Sequence, residues 1–520
     1  MNAQEPSKAM TLAVSTLVAL ASGSNYVFST YAPQLGERLR ISSTKLNAIG
    51  IAGNIGVYLS GPFWGHLIDL QGPRIPLAAA SILSCTGYGF ICIMYLHPGP
   101  FIAAEDHQNG GGSLSAIGLG LALCSMCMTG CGATAGLMSG LTSVARNFPP
   151  QTRASATSVC IAGYGLSAFL FASVFRAACR GSVSAFLAVL AVGTGLPMGL
   201  GSLTLKRTTL SHRTGIDTSN HYHRIVTSGD TDAGEGWHID TVRDDRLENA
   251  RPAEDATESI LGEDEVSAEV CITETIDVPS APRVRSPGAR GIKLLEETDF
   301  WLFFVILMLL AGTGLVYINN IGTIVATLTR PTDGVAPFEA NNITSKHQAL
   351  QVSLISISNC IGRLVMGCAS DYMQNTFHLS RRLFLVPIGL SFAVSQVLAH
   401  DTDAIEGLWK TSLTLGFAYG CIFSLLPMIV LEAFGIMHFA ANWGIVSIAP
   451  AVGGNLGNLL FGSIYDSHTE SIDLPSYHSI CELRQDCYIE VFSWTIQCCL
   501  LASVLGCVAI WNGPSVAHGK

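Results

Sequence analysis

Apolar stretches of about 20 residues, each long enough to cross a bilayer core of roughly 30 Å, recur along most of this 520-residue chain. Inside lipid every backbone polar group must be bonded within its own segment, which a helix achieves. The fold class is therefore an all-α membrane protein. Polar breaks place twelve transmembrane helices near 10–32, 44–68, 75–96, 113–143, 155–176, 183–205, 299–328, 346–369, 382–399, 408–433, 441–465 and 489–511. They form two six-helix bundles, 10–205 and 299–511, flanked by an N-terminus at 1–9, a loop at 206–298 and a tail at 512–520. Residues 1–9 show no basic stretch ahead of a cleavable apolar segment, so the first run reads as a retained span.

Composition agrees. Only 13% of residues are charged, against roughly 25% in soluble proteins, and mean hydropathy is +0.42, which excludes an ordinary cytosolic enzyme. The net charge of −10 belongs mostly to the loop, where 19 acidic residues face 11 basic ones, and nothing basic enough to bind nucleic acid is present. Low in large apolar residues, the loop is expected to be disordered, as a tether or a regulatory segment. Its flanking Lys206, Arg207, Arg213, Arg285, Arg290 and Lys293 favour a cytoplasmic loop, with both termini inside. On the outer side, Asn342-Ile343-Thr344 reads as a glycosylation sequon, and Cys481 and Cys487 as a pair able to oxidise. Most of the 16 Cys lie in apolar segments as packing residues, Cys124, Cys127 and Cys131 included. No metal site follows from these or from His221 and His223, and Gly110-Gly111-Gly112 lacks the Lys and Ser/Thr of a phosphate loop. No cofactor is implied. No nucleophile, base and orienting group share one face, so the chain does not read as an enzyme.

After the second span comes Gly65-His66-Leu67-Ile68-Asp69-Leu70-Gln71-Gly72-Pro73-Arg74, and after the eighth Gly367-Cys368-Ala369-Ser370-Asp371 with Arg381-Arg382 beyond. Gly65 and Asp69 map onto Gly367 and Asp371 at one offset of 302 residues, which marks the halves as parallel repeats. The motif resembles that of the major facilitator superfamily. Glycines admit close helix approach, and Asp69 with Arg74 is expected to pair across a gate that opens when the bundles tilt; the bland alternative is that these charges only end spans.

Gly23 to Leu35, Asn147-Phe148-Pro149-Pro150 with Arg153, and Glu432-Ala433-Phe434-Gly435 followed by Asn442-Trp443-Gly444, Pro450 and Tyr465-Asp466 resemble the nodulin-like branch. Within it, the chain is similar to fungal monocarboxylate-transporter homologues. That resemblance implies a vacuolar membrane and a small-molecule substrate, with proton coupling open.

Asn359-Cys360-Ile361-Gly362-Arg363 keeps the spacing and the Arg of true monocarboxylate transporters but has Asn where they have an acid. One helical turn separates the two, so they share a face. Arg363 should meet a cavity, a partner or an anion, or else snorkel and pair with Asp371. Asn359 cannot carry a proton; Glu432 could, or it anchors the end of the tenth span. Asn25 and Tyr26 in the first span, with Tyr317, Asn319 and Asn320 in the seventh, are the remaining pathway candidates, while Asn455 and Asn458 read as helix-packing groups. The function read from these residues is alternating-access transport of a small solute, an organic anion on the strength of Arg363. The rival is a non-transporting receptor or scaffold that signals through the acidic loop.

Overall fold

The computed structural model describes residues 7–41, 43–102, 114–205, 291–329, 337–468 and 484–513. Among them, eleven helices are long and apolar enough to cross a bilayer. The second span completes the set as two shorter helices, Ser43–Leu59 and Gly61–Gln71, which meet at Ser60 ahead of Pro62. Pro at the second position of a helix loses no internal hydrogen bond, so the junction costs little.

The first span is also interrupted. Lys8–Ser22 and Phe28–Leu39 are α-helical, and Gly23–Val27 between them is a 3-10 turn. Its polar side chains bond elsewhere: the Tyr88 hydroxyl donates to Ser24 Oγ (2.9 Å) and that of Thr129 to Asn25 Oδ1 (3.2 Å). Gly23 lies against Ser167 and the Tyr164 carbonyl of the fifth span, Arg153–Ala177, at distances a Cβ would violate. The eighth span is longer than expected, part of a helix running Pro337–Phe377, so the sequon is in the opening turns of a helix instead of a loop. Cys487 is disulfide-bonded; Cys481, His221, His223 and Gly110 to Gly112 lie outside the described residues.

Spans one, three, four, five and six pack on one another, with the second against the fourth; spans seven to twelve form the corresponding group. The two groups touch mainly where the fifth span meets the eighth and the Gly61–Gln71 helix meets Phe439–Val446. The second group is tied, at the end where its seventh span starts, by a buried ion pair. Asp299, in the first turn of Thr298–Leu328, accepts from Arg382 at 2.8 Å; Arg382 also donates to the Ala509 carbonyl (3.0 Å), with its guanidinium 5.1 Å from the Phe303 ring. Spans seven, nine and twelve thus share one knot. Removing one member of a buried pair leaves an uncompensated charge, so Asp299→Ala should cost about 3–5 kcal/mol, read as a lower melting temperature in detergent. Arg382→Met in the same chain should restore most of it. An unchanged melting temperature in Asp299→Ala would show that the pair is not structural.

Candidate functional site

Two carboxylates bridge the bundles at the end where the first span starts and the twelfth finishes, called inner here. Asp69, one residue past the expected end of the second span, accepts from the backbone N–H of Ala440 (3.3 Å) and Ala441 (2.8 Å), at the start of helix Phe439–Val446. Asp371 accepts from the N–H of Ala154 (3.3 Å) and Ser155 (2.7 Å), at the start of the fifth span, and from the Ser155 hydroxyl (2.7 Å). Each carboxylate thus caps a helix of the opposite bundle, where orphan N–H groups and the helix dipole favour a negative charge. The glycines one turn earlier allow the approach. A Cβ at Gly65 would land on the Ala440 carbonyl, and one at Gly367 on the Ser158 hydroxyl.

The cation partners differ from expectation. Asp69 pairs with Arg146 (2.6 Å), at the end of the fourth span, not with Arg74, whose Nε donates to the Leu205 carbonyl (3.3 Å). The cause is local. Gly72, with φ 84°, ends one helix, and Arg74 starts the next, leading the chain toward the sixth span. Asp371 pairs with Arg381 (2.5 Å), which also reaches Glu432. Glu432 therefore sits in an ion-pair network at the inner end, with Gln374 at 3.2 Å, and the snorkelling alternative for Arg363 is not realised.

Burial pushes the Asp69 carboxyl up to about 6, against the lowering effect of the Ala441 N–H and of Arg146. The closed inner end binds the proton more tightly than an open one, where the carboxyl would titrate near its ordinary value in water. Closure is therefore favoured as pH falls through 6, and the gain fades above it. Between about pH 7.5 and about pH 5 the closed population should grow about tenfold relative to the open one, measured by spin-label distances across the inner end. A trend in the opposite direction would show that breaking the Arg146 pair outweighs burial.

From this end a polar seam runs toward the centre. Ser155, Ser158, Ile161 and Gly165 of the fifth span, spaced by three or four, face Asp371, Gly367, Arg363 and Asn359 of the eighth, spaced by four. Arg363, 4% exposed, donates from Nε to Asn359 Oδ1 (2.8 Å) and from Nη1 across the bundle boundary to the Ile161 carbonyl (2.5 Å). Its guanidinium carbon lies 5.6 Å from the Tyr164 ring and 5.9 Å from that of Phe423. No carboxylate partners it among the described residues. Farther out, a groove of about 450 Å³ lined by Arg176, Lys346, Leu350 and Ser353 separates the ends of the two spans.

Comparison with known proteins identifies the family. A model described as Major Facilitator Superfamily matches residues 14–458. The chain belongs to that superfamily. It is 25% identical to "Probable transporter mch1" of Neurospora crassa, over 89% of this chain and 81% of that protein. It is 24% identical to an uncharacterized membrane protein of Saccharomyces cerevisiae, over 95% and 93% respectively. Among solved structures, the proton:xylose symporter XylE shares the fold, with a TM-score of 0.54 at 13% identity and 94% of each chain covered.

The other pathway candidates of this superfamily member scatter. Tyr26, 39% exposed, packs edge-on against Tyr164 at 5.7 Å and so joins the Arg363 group. Asn25 is held inside its own bundle by Thr129, Tyr88 and the Gly53 carbonyl. Tyr317 is fully buried, its hydroxyl 2.8 Å from that of Ser412, so it faces the bundle core and not the seam. Asn320 donates to Asn458 (3.0 Å), and Asn319 and Asn455 are exposed. Sequence reasoning missed Tyr164, Tyr419 and Phe423. Their helical spacing is that of ordinary core aromatics, and nothing local separates the two roles. No cluster able to hold a metal ion occurs among the described residues.

Proposed function

We propose that this membrane transporter carries a small organic anion by alternating access between its two bundles, with Arg363 as the anion's contact. One observation carries the reading: a fully desolvated guanidinium at the bundle boundary, bonded only to neutral oxygens. Such a charge is costly inside a membrane unless an anion balances it, and a site shared by both bundles is where a rocking carrier must hold its cargo. Arg176 and Lys346 add positive charge at the outer groove, about 25 Å along the helix from Arg363 by the rise of 1.5 Å per residue. Superfamily membership and relatives named as probable transporters support the coarser part of this reading.

Arg363→Gln should lower anion uptake into proteoliposomes about ten- to hundredfold, with protein abundance unchanged, because charged hydrogen bonds to the cargo are lost. Uptake of a neutral solute, indifferent to this substitution, would overturn the anion. Asn359 holds no proton and Glu432 is engaged by Arg381. The final level of uptake is accordingly expected to follow the anion gradient, while an imposed pH gradient changes only its rate, through Asp69 at the inner end. We place the protein at the vacuolar membrane, on the resemblance to the fungal homologues; a tagged chain found at the cell surface would refute that.

A further inference from the structure

The walls around Arg363 say more about the cargo than its charge does. Tyr164 comes from one bundle and Phe423 from the other, and their rings flank the guanidinium at 5.6 and 5.9 Å. Tyr26 extends the first wall, edge-on to Tyr164 at 5.7 Å, and Tyr419 extends the second, 4.8 Å from Phe423. Tyr419 is set rigidly, its ring against the backbone of Gly314 and 6.4 Å from Phe392. Yet its hydroxyl, on a side chain only 4% exposed, has no hydrogen-bond partner among the described residues. A buried hydroxyl left unpaired costs free energy, and one beside a guanidinium that lacks an acid is a second donor waiting for the same acceptor.

We propose that the cargo is an aromatic carboxylate, its oxygens held by Arg363 and the Tyr419 hydroxyl and its flat body laid against the part-exposed Tyr26, Tyr164 and Phe423 rings. This rests on the anion reading above. An aliphatic body would cover the same rings but gain nothing from ring-to-ring geometry, whereas a flat ring takes offset or edge-on contacts with both walls. Because the walls belong to different bundles, one planar molecule touches both halves at once.

The test is equilibrium binding to the full chain in lipid nanodiscs, with benzoate, cyclohexanecarboxylate and benzamide as probes. Benzoate and cyclohexanecarboxylate match in carbon count and charge and differ in flatness; benzamide keeps the ring and drops the charge. Benzoate should bind about five- to tenfold more tightly than cyclohexanecarboxylate and bind far more tightly than benzamide. Phe423→Leu, which leaves the Tyr164 wall, should shrink that preference to about two- to threefold, and Tyr419→Phe should weaken both. Equal affinity for the two carboxylates in the unmodified protein would overturn the aromatic assignment and leave the anion intact. Benzamide binding as well as benzoate would overturn the anion itself. The comparison in the unmodified chain decides the matter even if a variant fails to fold.

Discussion

Gly65→Ala is expected to hold the inner end of the protein ajar and stop transport. The added methyl would meet the Ala440 carbonyl and the Ala441 Cα, both backbone, so no side chain can rotate away. Overpacking costs about 1–3 kcal/mol, and with nothing soft at the contact the upper value applies, a population shift of about a hundredfold against closure. Because the contact lies between bundles, each bundle should still fold. Spin labels at Gln71 and Met437, both exposed at this end, would read a longer distance in the variant. Gly367→Ala should act in the same direction, because the Ser158 Cβ, fixed to its backbone, and the Ala154 carbonyl at 2.9 Å both stand in the way even if the Ser158 hydroxyl rotates. An unchanged distance and normal uptake in Gly65→Ala would mean that closure does not need this contact.

Replacing Asp371 with Ala should be the most damaging single change at the gate. It removes the acceptor for two backbone N–H groups and the Ser155 hydroxyl, and leaves buried Arg381 with Glu432 alone. Breaking a buried pair in this way costs about 3–5 kcal/mol. Part would appear as a lower melting temperature, and part as separation of Asn375 from the Gln151 carbonyl, now 2.8 Å apart across the bundles. Asp371→Asn keeps an acceptor oxygen and should fall between the two. Asp69→Ala should cost less than Asp371→Ala, since Asp69 caps two N–H groups and has no hydroxyl donor. If both variants matched the parent in melting temperature and label distance, the carboxylates would be bystanders.

The spans were readable from sequence because a bilayer imposes a length that a run of apolar residues either meets or misses. The Gly65 and Asp69 pair with its repeat at Gly367 and Asp371 was readable because duplication writes the same spacing twice. The partners were not. Nearness in sequence pairs Asp69 with Arg74, but Gly72 turns the chain, and Arg146 arrives from another helix. Arg363 and Asn359 could be paired from one helical turn, whereas the Ile161 carbonyl is a backbone atom 202 positions away and leaves no trace in residue type. The broken first span was hidden for a related reason: averaged hydropathy stays high across Gly23–Val27 although the hydrogen-bonding pattern changes there.

Main chain meets main chain where Gly61 touches Gly444 and Gly65 touches Ala440. Such a joint has no compressible side chains to take up a partial displacement. A carrier in a membrane that stores a voltage must not let ions slip past while it turns over. A seat of bare backbone, stopped by the Asp69 carboxylate at its inner rim, would keep that leak small without any bulky plug having to swing aside.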